Sequence, residues 1–149
     1  MDGIGLLIDL HLLVRSVHVL AGTVVVGGAA LVWAVGLGAK RGEAVLLAAR
    51  RYEWAFWPAA GVIVATGVGN LGAFGEGLAG PQTGWGRTLT LKLALVLLLL
   101  AGSGVRTIAV VRLGEGVALA RGGLVAGLYA ATALLSATIV VVAEVLAHG

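Results

Sequence analysis

The chain has 149 residues, of which 60% are hydrophobic and 11% charged, and its mean hydropathy is +1.07. An ordinary soluble domain is about 45–50% apolar and about 25% charged, so this composition excludes a soluble enzyme, a disordered chain and a nucleic-acid module. It leaves one integral membrane domain. The net charge of +3 then reads as topology, because Lys and Arg mark the cytoplasmic face of a membrane protein. There is no cysteine, which removes disulfides, iron–sulfur ligation and thiolate metal sites.

Four apolar stretches follow in order, each long enough for the roughly 20 residues that a spanning helix needs. The first runs from Val17 to Ala39, behind an amphipathic lead that carries Asp9, His11 and Arg15, so the helix is expected over about 4–39. It is too long for a signal-peptide core and has no basic segment before it. The second is expected over about 54–74, the third over about 88–111 and the fourth over about 122–147. None alternates in the way of a membrane barrel strand. The predicted fold is all-α: an integral membrane four-helix bundle.

Charge orients it. Lys40, Arg41, Arg50 and Arg51 lie between the first two spans, and Arg106, Arg112 and Arg121 lie around the third connection. Asp2, Asp9, Glu76 and Glu144 fall on the other side, with only Arg15, Arg87 and Lys92 in the helix ends. The positive-inside rule puts the basic connections in the cytoplasm and both termini outside. Trp54 and Trp57 mark the inner boundary and Trp85 the outer one, as an aromatic belt would. The segment from Gly72 to Arg87 has the Gly and Pro density of a loop, read as a linker or a pocket lid. The glycines within the spans are read as helix-packing positions. Gly22, four residues after His18, also offers room for a flat cofactor.

Ionisable groups in a bilayer are costly and mark candidate sites. His11, Arg15 and His18 fall within an arc of about 60° and form one stripe on the first helix. Lys92, Glu144, His148, Thr66 and Asn70 come from the other three helices to the same outer depth. Neutral imidazole ligates metals and haem iron, and arginine suits a propionate because its planar fork binds carboxylates. The stripe therefore nominates His18 and His11 as metal ligands, with Arg15, Lys92 and Gly22 completing a cofactor site. The two histidines are about 10 Å apart along one helix and cannot clamp opposite faces of one haem. Copper is less comfortable, since Cu(I) prefers thiolate and thioether ligands. Ser16, Ser103 and Ser136 have no visible His–Asp pairing for nucleophilic catalysis.

Two stretches carry a family resemblance. Residues 10–35, with His18, Gly22, Gly27 and Gly28, resemble the first helix of copper-resistance D-type membrane proteins. Residues 83–106, with Trp85, Gly86 and Lys92, look like a later signature of that superfamily. The J-type protoporphyrinogen oxidases are similar at the same places, and Arg50, Arg51 and Tyr52 fit their RRxY-like start to the second span. Leu31-Val32-Trp33 stands where those oxidases carry Leu-Pro-Arg. The resemblance implies a helical bundle with haem b or copper chemistry centred on His18 and Lys92.

Three functions are thus expected as alternatives: a haem b membrane protein for redox or electron-transfer work, a copper-handling membrane protein, and an accessory subunit of a respiratory complex without chemistry of its own. Expected partners are the lipid bilayer, a second copy or a larger respiratory complex, with no nucleic acid. The expected location is a bacterial or archaeal plasma membrane.

Overall fold

The computed structural model describes residues 3–38, 42–72, 80–113 and 122–148, with side chains for 9–38, 42–68, 80–112 and 123–147. Four helices follow in order: α1 (Gly3–Gly38), α2 (Gly42–Gly72), α3 (Gly84–Leu113) and α4 (Gly122–His148). No strand occurs among the described residues. Lipid offers no hydrogen bonds to the backbone, so every amide must be satisfied within its own segment, and a helix does this. Side-chain hydroxyls in the spans follow the same rule. Thr23, Thr88, Thr90, Thr132, Ser136 and Thr138 each bond back to the carbonyl four residues earlier.

Three stretches, Asp9–Gly38, Gly84–Arg112 and Gly123–Ala147, are long and apolar enough to cross a membrane. Only 22%, 17% and 28% of their most apolar windows are buried inside the protein. The remaining surface is aliphatic, with Leu20, Leu97 and Leu134 each about two-thirds exposed or more (66%, 67% and 72%). An apolar exterior of this extent suits contact with lipid.

α2 is the exception. It begins at Gly42, twelve residues before the apolar run expected to form the second span. Its first turns bury Val45, Leu46, Ala49, Tyr52 and Phe56, a helical period that also takes in the buried Glu53 and leaves Arg50 and Arg51 on the exposed side. What reads as a basic connecting segment is therefore a core helix. Pro58 lies inside it. α1 packs most extensively against α2 and α4, α4 also packs on α3, and α2 meets α3 only sparsely.

Glycine shapes two of these contacts. A Cβ on Gly28 would stand 2.6 Å from the Tyr52 ring, and one on Gly36 would overlap the Ala126 methyl. Gly22, Gly27 and Gly61 have nothing within 4 Å of the same position, so the packing role expected for all the span glycines is confined to some of them. Gly28→Ala is expected to displace the Tyr52 ring and destabilise the bundle by about 1–3 kcal/mol. Gly27→Ala should lie within about 0.5 kcal/mol of the parent. Paired thermal melts in mild detergent, followed by circular dichroism, compare the two; equal effects would contradict this crossing.

The third helix is started by a cap. Thr83 accepts a hydrogen bond from the Gly86 amide at 3.0 Å, the geometry of an N-cap residue. Gly80 presses its carbonyl on Gly86 so closely that no side chain fits there. The glycine of the Trp85-Gly86 pair is thus explained by this turn. The expected lid includes residues 73–79, which lie outside the described residues, as do Lys40, Arg41, Arg121 and the side chains of Asn70 and His148.

Candidate functional site

Polar side chains gather in two layers of the bundle. Glu53 and Thr66 on α2 mark them, thirteen residues apart, which is about 20 Å by the helical rise.

The first layer is at the end where α1 meets α2. Arg106, on α3, is 1% exposed. Its Nε donates to Glu53 Oε1 at 2.7 Å and its Nη2 to Oε2 at 3.3 Å. This is the two-pronged pairing for which the guanidinium plane is shaped. Nη1 donates to Ser103 Oγ at 3.1 Å and to Thr132 Oγ1 at 2.8 Å. The Tyr129 hydroxyl donates to Glu53 Oε1, and Thr107 reaches Oε2. The rings of Phe56, Tyr129 and Tyr52 surround the guanidinium, with centroids 4.6, 5.0 and 5.1 Å from Cζ. Such placements add cation–π attraction, strongest where water is excluded. The Tyr52 hydroxyl in turn donates to the Val25 carbonyl of α1 at 2.8 Å. Among the described residues no buried side-chain polar atom lacks a partner.

This cluster ties all four helices together. A buried ion pair is tolerated only when its remaining hydrogen-bonding capacity is also met, and here α3 and α4 supply that shell. Arg106 therefore acts inside the protein, although its position near a basic connection marks it as a topological charge. Glu53 is a residue that sequence reasoning passed over. The available signal was its place as the lone acidic residue of the Arg50-Arg51-Tyr52-Glu53 run, together with Tyr129, Thr132 and Ser136, spaced by three and four on one face of α4.

The second layer holds His18. Its Nδ1 lies 2.7 Å from Thr66 Oγ1 on α2. The Thr66 hydroxyl hydrogen already faces backbone carbonyls, with Val62 O at 2.6 Å and Ile63 O at 3.3 Å. A hydroxyl has one hydrogen and two lone pairs, so Thr66 accepts and His18 Nδ1–H donates. In the neutral tautomer that fits this arrangement, the proton sits on Nδ1 and Nε2 carries the lone pair. Gly67 stands beside the ring, where a Cβ would be 3.7 Å from Cε1. Lys92, on α3, is partly buried and lies within electrostatic range of the ring.

The structure thus brings together His18, Thr66 and Gly67, with Lys92 within electrostatic range of the ring. It leaves His11 and Arg15 exposed, further along the same face of α1. Gly22 is partly buried, with open space beside it. Among the described residues, no three His, Cys, Asp or Glu side chains converge as a metal-binding group. The chain matches no family model, and neither a curated protein nor a solved structure resembles it significantly. The candidate site therefore rests on its own chemistry.

Proposed function

We propose that the protein is a membrane haem b protein for redox or electron-transfer work, in which His18 Nε2 would hold the iron. The observation that carries this reading is the His18–Thr66 hydrogen bond. A metal-bound imidazole almost always donates its other N–H to a fixed acceptor, which sets the tautomer and the ring direction. Thr66 is such an acceptor. The neighbouring residues fit the group: Gly67 lies beside the imidazole, Gly22 leaves space on α1, and Lys92 is a cation for a propionate. Arg15, exposed on the same face, is a second cation for that purpose. Haem would supply one-electron chemistry at its iron. The chain itself orients the ligating nitrogen, holds the Nδ1 proton and counters carboxylate charge.

Copper handling has less support, because no group of three or more His, Cys, Asp or Glu side chains converges among the described residues. An accessory subunit without chemistry needs no defined tautomer at His18. The deciding measurement is an optical spectrum of the detergent-purified protein after expression with haem supplied. A Soret band with about one haem per chain is expected, and a folded protein without that band overturns the reading.

In the same reading the basic connections face the cytoplasm and both termini face outward, supported by the placement of Arg50, Arg51 and Arg112 at one end of the bundle. A cysteine introduced beside Arg41 or Arg112 should resist an impermeant thiol reagent in intact cells, and one beside Glu76 should label. The opposite labelling pattern would invert the orientation.

A further inference from the structure

A second feature lies at the opposite end of the bundle from His18, where α2 and α3 meet only sparsely. A groove of about 700 Å³ runs between them and opens to the outside of the bundle. Trp54, Trp57, Val110 and Val111 supply apolar wall, and Arg50 and Glu53 lie along it. The two charges are in different conditions. Glu53 is held by Arg106, Tyr129 and Thr107, so it offers the groove no free acceptor. Arg50 is exposed, and among the described residues it has no ion-pair partner. The uncompensated charge of the groove is thus a guanidinium, set beside a hydrocarbon-lined channel and two indole rings. Trp57 Nε1 donates to Thr107 Oγ1 at 3.2 Å, which fixes one indole across the gap between α2 and α3.

We propose that this groove holds an acyl chain of an anionic phospholipid, with the lipid phosphate on the Arg50 guanidinium. Charge complementarity selects the occupant. A phosphate oxygen takes the paired donors of an arginine, the apolar walls take a hydrocarbon chain, and tryptophan is at home at the level of lipid headgroups. A zwitterionic lipid would place its ammonium group close to Arg50 with no free carboxylate to receive it. A neutral quinone would leave Arg50 unpaired. The site is independent of the haem reading, since it shares no residue with the His18 layer.

Native mass spectrometry of the protein released from mixed micelles tests this, with phosphatidylglycerol and phosphatidylcholine of identical acyl chains as probes. Retention of phosphatidylglycerol should exceed that of phosphatidylcholine severalfold, because both phosphates can reach Arg50 and only the choline cation is repelled there. Arg50→Gln should abolish the preference, whereas Arg51→Gln, outside the groove, should keep it. Val111→Trp, which fills the groove from an exposed position, should expel both lipids. Equal retention of the two lipids, or a preference unchanged in Arg50→Gln, overturns the proposal. So does a quinone that co-purifies, is displaced by Val111→Trp and is indifferent to Arg50→Gln.

Discussion

Arg106→Leu is expected to destabilise the bundle by about 3–5 kcal/mol, the cost of leaving one member of a buried ion pair without its partner. The substitution removes four donated hydrogen bonds at once. It strands the Glu53 carboxylate, 8% exposed, with the hydroxyls of Tyr129 and Thr107 as its remaining donors. It also empties the space between three aromatic rings. Glu53→Gln should cost less, because a neutral amide still accepts from Tyr129 and donates to a neighbour. It nevertheless leaves the guanidinium buried without a counter-ion. The combined Glu53→Gln, Arg106→Leu protein should be more stable than the sum of the two single effects allows, by a coupling of about 0.5–3 kcal/mol. Unfolding titrations in mixed detergent, read by loss of helical circular dichroism, supply all three values. If Arg106→Leu costs under about 1 kcal/mol, as an exposed pair would, or if the single effects simply add, then the pair does not brace the fold.

The second large effect concerns pigment. In the proposed haem protein, His18→Ala should remove essentially all Soret absorbance while leaving the protein helical and in the membrane. Iron held by the protein depends on its axial ligand, whereas the bundle is held by helix packing and by the distant Arg106 cluster. Thr66→Val should keep the ligand but lose its acceptor, weakening haem retention by about 10–100-fold, the usual size of such an outer-shell loss. Thr66→Ser should restore most of it. Lys92→Met should lower retention without shifting the absorbance maximum, as expected of a propionate contact. His11→Ala should change little, since His11 is exposed and about 10 Å from His18 along the helix. An unchanged spectrum in His18→Ala would eliminate the ligand assignment.

The two polar layers differed in how readable they were. His18 stood out because it borders a long uncharged run, where an ionisable group is expensive. Lys92 was legible for the same reason. The meeting of His18 with Thr66 depended on the register between α1 and α2, and no spacing within one helix encodes that. Glu53 and Arg106 were harder still. Each sits near a basic, apparently connecting segment, so local charge suggested solvent or headgroups. They are fifty-three residues apart, and only the packing of α2 on α3 and α4 withdraws both from the surface.

The amino-acid sequence alone determined that the chain is helical and membrane-embedded. A bilayer admits few backbone solutions, and long uncharged runs satisfy the helical one locally. It also placed three of the helices within a few residues, since apolar length is a local quantity. The start of α2 was a tertiary decision. Val45, Leu46, Ala49, Tyr52 and Phe56 form a buried stripe, but three charged residues interleaved with it hide the stripe from any averaged hydropathy. The same holds for the glycines. Gly28 and Gly36 are pressed against neighbouring helices while Gly27 faces open space, although all are equally small, because close approach is a property of two surfaces. The tautomer of His18 was decided in the same way: the imidazole can carry its proton on either nitrogen, and the acceptor that chooses Nδ1 comes from another helix.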